Sequence, residues 1–289
     1  MGQDSKKVKA KKSLGQHFLR SKGAVRKIVV AAEIMPRETV LEIGPGRGVL
    51  TEALLLAGAC VVAVEKDSEL IPELSEKFSQ EVSAGRLTLL EGDILDERLQ
   101  KKLFPILGGK TAKYKVVANI PYYITGALFR LFLEKLRQPT RLVFLVQKEV
   151  AEQIVSRNGK EGILSLSIKA FGTPKYVAKV PKESFSPKPK VDSAIIAVTD
   201  ISRDRLKGVS EAQFFKVVKA GLGAKRKMLL GNLSKSLKLS RAALVQIFEK
   251  LEVPLTARGE DLPIEKWLAL AREINNKQKN NGTKKQNPA

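Results

Sequence analysis

Residues 40–50 read Val40-Leu41-Glu42-Ile43-Gly44-Pro45-Gly46-Arg47-Gly48-Val49-Leu50, an apolar strand pattern that runs into a glycine-rich turn and then into an amphipathic helix pattern. Glycine has no Cβ, so it tolerates left-handed backbone and lets a ligand come close to the main chain. A strand that breaks into such a turn ahead of a helix is the opening of a β-α-β unit, and in open α/β sheets ligands sit beyond the carboxyl ends of the strands. The spacing is G-x-G-x-G, with Val49 where a dinucleotide loop has its third glycine, so a pyrophosphate ligand is disfavoured.

Outward from this turn, short apolar runs at 60–64, 87–90, 115–118 and 141–146 alternate with helical patterns at 50–56, 69–78 and 127–136. The rhythm predicts an α/β fold with a mostly parallel sheet and helices on both faces. Two further strand patterns, 176–180 and 194–198, follow with no helix between them. They predict an antiparallel edge hairpin joined by the Pro-containing loop 181–190. After residue 202 strand patterns stop, and helical ones at 211–222, 225–233, 241–251 and 264–274 predict a small all-α domain, with Ser210 and Ser240 as N-caps. The expected organisation is a basic flexible arm at 1–12, an α/β domain at 13–202, a helical domain at 203–274 and a disordered basic tail at 275–289.

Charge limits the partners. The 289 residues carry 52 Lys and Arg against 30 Asp and Glu, a formal net charge of +22. Residues 200–250 alone hold twelve basic and four acidic side chains. Such a surface suits a polyanion, with nucleic-acid phosphate the foremost candidate, although a generally basic soluble protein is the plainer reading. Cys60 is the single cysteine, which excludes an internal disulfide, and with His17 the single histidine no His/Cys metal cluster can be assembled. The longest apolar run, 53–64, falls short of the roughly 20 residues that cross a bilayer. No apolar stretch follows the charged N-terminus as a secretory signal would require, so a cytoplasmic setting without membrane association is expected.

Two acids extend the glycine turn. Glu65 ends the second strand pattern, where a carboxylate can accept from two ribose hydroxyls, and Asp93 follows the third. Acids at these strand ends suit a nucleoside ligand that carries donor groups and no phosphate. The fourth strand ends in Asn119-Ile120-Pro121-Tyr122-Tyr123. This loop resembles that of methyltransferases that modify exocyclic amines. The resemblance implies that an Asn119 amide oxygen and the Ile120 carbonyl accept the two hydrogens of an adenine amine, a poor nucleophile because its lone pair is shared with the ring, while Tyr122 offers a face to the flipped base. A proline turn with a buried tyrosine is the alternative reading of the same residues.

The glycine turn with Glu65 and Asp93 resembles the S-adenosylmethionine site of methyltransferases, and N-I-P-Y resembles the loop of those that modify exocyclic amines. Three further stretches, Ser13-Leu14-Gly15-Gln16-His17-Phe18-Leu19, Gln147-Lys148-Glu149-Val150-Ala151 and Phe185-Ser186-Pro187-Lys188-Pro189-Lys190-Val191-Asp192-Ser193, resemble the rRNA adenine dimethyltransferase family, closest to its KsgA type. The similarity spans about residues 13–274.

The resemblance implies a class I (Rossmann-like) methyltransferase domain with a seven-stranded sheet and a helical C-terminal domain. It implies N6,N6-dimethylation of two adjacent adenosines in the 3′-terminal hairpin loop of 16S rRNA, within a partly assembled small ribosomal subunit, by a monomer that needs no metal. Carried over by position, the S-adenosylmethionine site would comprise His17, Leu19, Gly44, Gly46, Glu65, Lys66, Asp93, Ile94 and Asn119. Asn119, Ile120, Pro121 and Tyr122 would hold the target, with Phe185 covering its opposite face. Lys225, Arg226 and Lys227 would grip RNA, with Lys225 standing where the family has Arg. Other readings are an Erm-type enzyme acting on one 23S adenosine, an RNA-binding assembly factor with a vestigial fold, and a small-molecule amine methyltransferase. The last leaves the charge and the second domain unexplained.

Overall fold

The computed structural model describes residues 10–109, 113–224 and 226–283. It forms two compact units, one built from the chain up to Ala151 together with Pro174–Ile201, the other from Glu152–Thr173 together with the chain from Ser202. The sequence reading drew one boundary, at residue 202. The structure instead assigns an internal segment to the helical unit, because α8 (Ile163–Lys169) packs on α9 (Glu211–Gly221).

In the first unit the strands are β1 (Phe18–Leu19), β2 (Thr39–Ile43), β3 (Cys60–Glu65), β4 (Leu87–Glu91), β5 (Tyr114–Asn119), β6 (Arg141–Gln147), β7 (Thr173–Val180), β8 (Phe185–Ser186) and β9 (Ser193–Thr199). Seven of them form one sheet in the order β4-β3-β2-β5-β6-β9-β7. The β2–β3, β3–β4, β2–β5 and β5–β6 pairs are parallel, and β9 runs antiparallel to β6. The central strands are mostly apolar and buried on both faces, Val116 to Ala118 and Leu142 to Val146 being almost without exposure. Helices α1 (Lys22–Ala32), α2 (Val49–Leu56), α3 (Leu70–Lys77), α4 (Ser79–Ser83), α5 (Glu97–Ile106) and α6 (Thr125–Arg130) complete the unit, with α7 (Lys148–Ile154) leading out of it.

The expected helix at 69–78 is α3, followed beyond buried Phe78 by the short α4, and the one at 127–136 is α6 continued by a π-helical turn, Leu131–Lys135. The loop expected at 181–190 contains β8, which pairs antiparallel with β1 in the register Phe18↔Ser186 and Leu19↔Phe185. Two residues are too few to show alternation, so neither strand is visible to a pattern of period two.

In the helical unit α9 packs on α10 (Leu229–Leu237) and α12 (Ile264–Thr283), and α11 (Arg241–Lys250) packs on α10 and α12. The core is built on Trp267, Phe214 and Phe248, all fully buried. Ser210 and Ser240 accept from the Gln213 and Ala243 N–H groups as N-caps. Two expectations change. Helix α10 starts at Leu229, not at 225, because the Leu229 N–H is taken by the Ala257 carbonyl and the Asn232 amide ties down the Gly221 and Ala224 carbonyls. Arg226 and Lys227 therefore lie exposed in the α9–α10 connection, and Lys225 lies outside the described residues. The tail expected to be disordered from 275 is instead helical through Thr283, with Gln278 accepting from Gln213 and Lys277 donating to Gln246. The remainder of that tail and residues 1–9 of the N-terminal arm lie outside the described residues.

Candidate active site

Sheet register assembles the site. Ile43 aligns with Val64 on one side and Ala118 on the other, so the next residues, Gly44, Glu65 and Asn119, emerge side by side at the carboxyl edge. The chain leaves β2 toward β3 on one side and returns to β5 on the other. A crevice forms where the strand order reverses in this way. A cleft of about 940 Å³, mouth included, lies there.

The glycines of the turn all have positive φ, and two are further fixed by what lies above them. A Cβ on Gly46 would stand 2.9 Å from the Phe18 ring, and one on Gly48 2.4 Å from Phe78. The Gly46 N–H donates to Glu65 Oε2 at 3.0 Å and the Asp67 N–H to Oε1 at 2.9 Å, so both carboxylate oxygens are held in a fixed orientation. Burial pushes the Glu65 carboxyl above the usual range, only partly opposed by N–H groups of Asp67, Gly46 and Lys66. Asp93 Oδ1 accepts from the Leu95 N–H at 2.9 Å and Oδ2 pairs with Lys66 Nζ at 2.8 Å. Burial would raise the Asp93 carboxyl, but Lys66 and Leu95 outweigh it and hold it low.

Asn119 Nδ2 donates to the His17 carbonyl at 3.0 Å. A carbonyl only accepts, so this bond fixes the amide and leaves Oδ1 as the free acceptor. The His17 ring lies 6.0 Å from the Tyr122 ring at 23° between planes, and its Nδ1 donates to the Pro187 carbonyl at 2.7 Å. The Tyr122 hydroxyl meets Ser193 Oγ at 2.8 Å, and burial raises its phenol above the ordinary value.

All the cofactor residues expected from the sequence line this cleft except Leu19, and all four residues of the N-I-P-Y turn line it. Leu19 lines a neighbouring cavity that shares Gly44, Gly46 and Asn119 with the cleft. Phe185 lines neither: it pairs with Leu19 across β1–β8 and is buried among Phe18, Leu19 and Val180. The basic pair Arg226 and Lys227 belongs to the other unit and is described there only.

Sequence reasoning missed a strap. Asp67, its side chain fully buried, binds Lys11 Nζ at 2.6 Å and Gln16 Nε2 at 2.8 Å, while the Lys11 N–H donates to Gln16 Oε1 at 2.7 Å. These bonds hold Leu14 to His17 along the cleft. The Lys11 and Gln16 contacts, which outweigh the effect of burial, lower the Asp67 carboxyl. The only sequence signal was an acid two residues past Glu65. Ser193 lay inside a quoted motif with no role assigned. Glu42, beneath the turn, is also buried with neither carboxyl oxygen hydrogen-bonded; burial pushes it up to about 8, little offset by the nearby Thr51 hydroxyl.

The donor set fits S-adenosylmethionine: two oriented Glu65 oxygens for a ribose diol, Asp93 for an amine, and a glycine turn that leaves the main chain open to a ligand. The profile of a family described as ribosomal RNA adenine dimethylase matches residues 7–276. A ribosomal RNA small subunit methyltransferase A from Dehalococcoides mccartyi is 43% identical over 266 residues, covering 92% of this chain and 89% of that protein. One of the same description from Thermosynechococcus vestitus is 39% identical over 284 residues, covering 94% and 100%. A crystal structure of a dimethyladenosine transferase from Plasmodium falciparum superposes with TM-score 0.75 at 25% identity, covering 91% of this chain and 98% of that one. The 23S rRNA methyltransferase ErmE gives 0.69 at 25%, covering 89% and 99%.

Proposed function

The chain belongs to the ribosomal RNA adenine dimethylase family, and from that premise we propose that it converts two adjacent adenosines in the 3′-terminal hairpin loop of 16S rRNA to N6,N6-dimethyladenosine. It is an S-adenosylmethionine-dependent rRNA adenine dimethyltransferase of the small-subunit type, and the Erm enzyme is a related member of the wider family. Its working form is a cytoplasmic monomer that acts on a partly assembled subunit. Among the described residues no helix is long and apolar enough to cross a membrane.

When bound, S-adenosylmethionine supplies an electrophilic methyl on a sulfonium. Glu65 would accept from the ribose hydroxyls and Asp93 from the adenine amine, and the backbone at Gly44 and Gly46 would hold the methionine part. Asn119 Oδ1 and the Ile120 carbonyl take the two N6 hydrogens of the target, which favours a pyramidal nitrogen with its lone pair directed at the methyl. Tyr122 supports the flipped base, its ring angle set by Ser193. The nitrogen becomes acidic as the bond forms, so its proton passes to solvent or a loop carbonyl without a dedicated base. After one transfer N6 keeps one hydrogen, and the same Asn119 oxygen can hold it for the second. Lys225, Arg226 and Lys227 contact RNA phosphates.

The observation that carries this reading is the Asn119 amide, turned by the His17 carbonyl so that its Oδ1 is left as a free acceptor. Its test is mass spectrometry of rRNA from purified subunits and assembling particles after incubation with the protein and donor. Dimethyladenosine in 16S rRNA is expected. Modification confined to 23S rRNA, or none, overturns it.

A further inference from the structure

Tyr123 follows the N-I-P-Y turn and takes no part in the reaction as described, although it lines the same cleft. It is 64% exposed, the most of any Phe, Tyr or Trp among the described residues. We infer that Tyr123 is a stacking platform for the base of the nucleotide next to the target, the second of the two adjacent adenosines. The inference rests on the proposed function, because it seats the neighbour of the base that meets Asn119.

Three observations carry it. Tyr122 and Tyr123 are consecutive in the 3₁₀ turn Tyr122–Ile124, yet their rings meet different surroundings. Tyr122 is half-buried, with the His17 ring beside it and its hydroxyl on Ser193, whereas the Tyr123 ring stands open to solvent. A nucleotide joined to the target by one phosphodiester is thereby brought to the residue next to Tyr122. The Tyr123 ring is also seated. Its Cε1 and Cδ1 lie 3.4 and 3.5 Å from where a Cβ on Gly15 would stand, and Gly15, at a φ of +62°, belongs to the strap held by Asp67. A ring already positioned gives up little further freedom when a base covers it. Finally, Tyr123 differs from the inner wall of the cleft, where Ile94 and Ile120 are buried.

The donor's own adenine is the other base of this chemistry. A ligand inside the cleft covers little of a ring that is mostly outside it, whereas a strand arriving from solvent covers the open part. Unpaired loop bases are recognised in this way, splayed onto aromatic rings, and every base offers a face for it.

The experiment uses the full chain, S-adenosylhomocysteine and a hairpin RNA of the small-subunit 3′ end in which 2-aminopurine replaces each of the two adenosines in turn. This base has no amine at C6, so it takes the neighbour's place and leaves the remaining adenosine to Asn119. Its fluorescence falls when it stacks on an aromatic ring. In complexes of the wild type and of Tyr123→Phe the probe is expected to be quenched at one or both positions. Tyr123→Ala, and Tyr123→Leu, which keeps apolar bulk without a flat face, should leave it bright and raise the RNA Kd about 5- to 150-fold. The log–log salt slope should not change, since no phosphate contact is lost. The S-adenosylhomocysteine Kd should stay within about twofold. A tenfold loss of S-adenosylhomocysteine affinity with RNA binding unchanged assigns the ring to the donor's adenine and overturns the inference. Unchanged hairpin affinity in Tyr123→Ala alongside weaker binding of assembled small subunits assigns it to a protein surface, with the same consequence. A probe as bright with the wild type as with Tyr123→Ala overturns it outright. Subunit methylation by the wild-type protein, run in parallel, tests the proposed function separately, because quenching reads the platform whether or not a methyl group is transferred.

Discussion

Substituting Glu65 by Gln separates the ligand-binding role of this residue from its part in the fold. Both carboxylate oxygens accept backbone N–H groups, Oε2 from Gly46 at 3.0 Å and Oε1 from Asp67 at 2.9 Å. A glutamine amide has one oxygen, so one of these N–H groups is left facing an NH₂ group, a loss of about 1–3 kcal/mol when buried. Against this, burial already disfavours the ionised carboxylate, and a neutral side chain removes that strain. The two effects oppose each other, and Tm should move by only a few degrees. Donor binding has no such compensation. Losing a charge-assisted bond to a ribose hydroxyl costs about 1.5–3 kcal/mol, or about 10- to 150-fold in Kd. Calorimetry with S-adenosylhomocysteine reads this directly, while kcat at saturating donor should stay within about threefold because Glu65 touches no reacting atom. Since the Glu65 carboxyl is raised, wild-type donor affinity should begin to fall on acidification at a higher pH than for an exposed carboxylate, and the variant should lose that dependence. Binding within about twofold of wild type would refute the assignment of Glu65 to the ribose.

Three further outcomes follow from particular contacts. Asp67→Ala removes the partner of both Lys11 and Gln16, so trypsin should cut at Lys11 or Lys12 faster and donor KM should rise with kcat little changed; unaltered proteolysis would contradict the strap. Gly48→Ala places a methyl 2.4 Å from Phe78 at a φ of +73°, which should lower stability by about 2 kcal/mol or more in a denaturant melt. Glu42 has its carboxyl at about 8 in the fold against 4.5 as an ordinary side chain, so the native state holds a proton across that interval. Stability should therefore be greatest below it, fall by up to about 1.4 kcal/mol per unit as pH rises through it, and level off above. Glu42→Gln should flatten this trend and be the more stable protein at alkaline pH; parallel pH profiles of the two proteins would refute the burial of a protonated acid.

The sheet was legible because its strands are continuous apolar runs separated by helix-length intervals, so period and spacing agreed at 40–43, 60–64, 115–118 and 141–146. Glu65, Asp93 and Asn119 were legible for the same reason, Glu65 and Asn119 closing β3 and β5 and Asp93 following the end of β4. What the pattern missed depends on contacts far apart in sequence. The β1–β8 pair joins residues 18–19 to 185–186 and buries Phe185. The Asp67 strap joins side chains 51 and 56 positions apart. The start of α10 is set by a carbonyl at Ala257, and the extension of α12 past residue 274 by amide contacts to Gln213 and Gln246, none of which composition records.

The account turns on the Asn119 oxygen. Its most direct test is single-turnover methyl transfer to small subunits lacking the modification, by wild type and by Asn119→Ala, with folding checked by thermal melt. The predicted result is a loss of about 10²-fold or more in the transfer rate at saturating donor in a folded protein. Dimethylation by the variant at a rate close to wild type would contradict it.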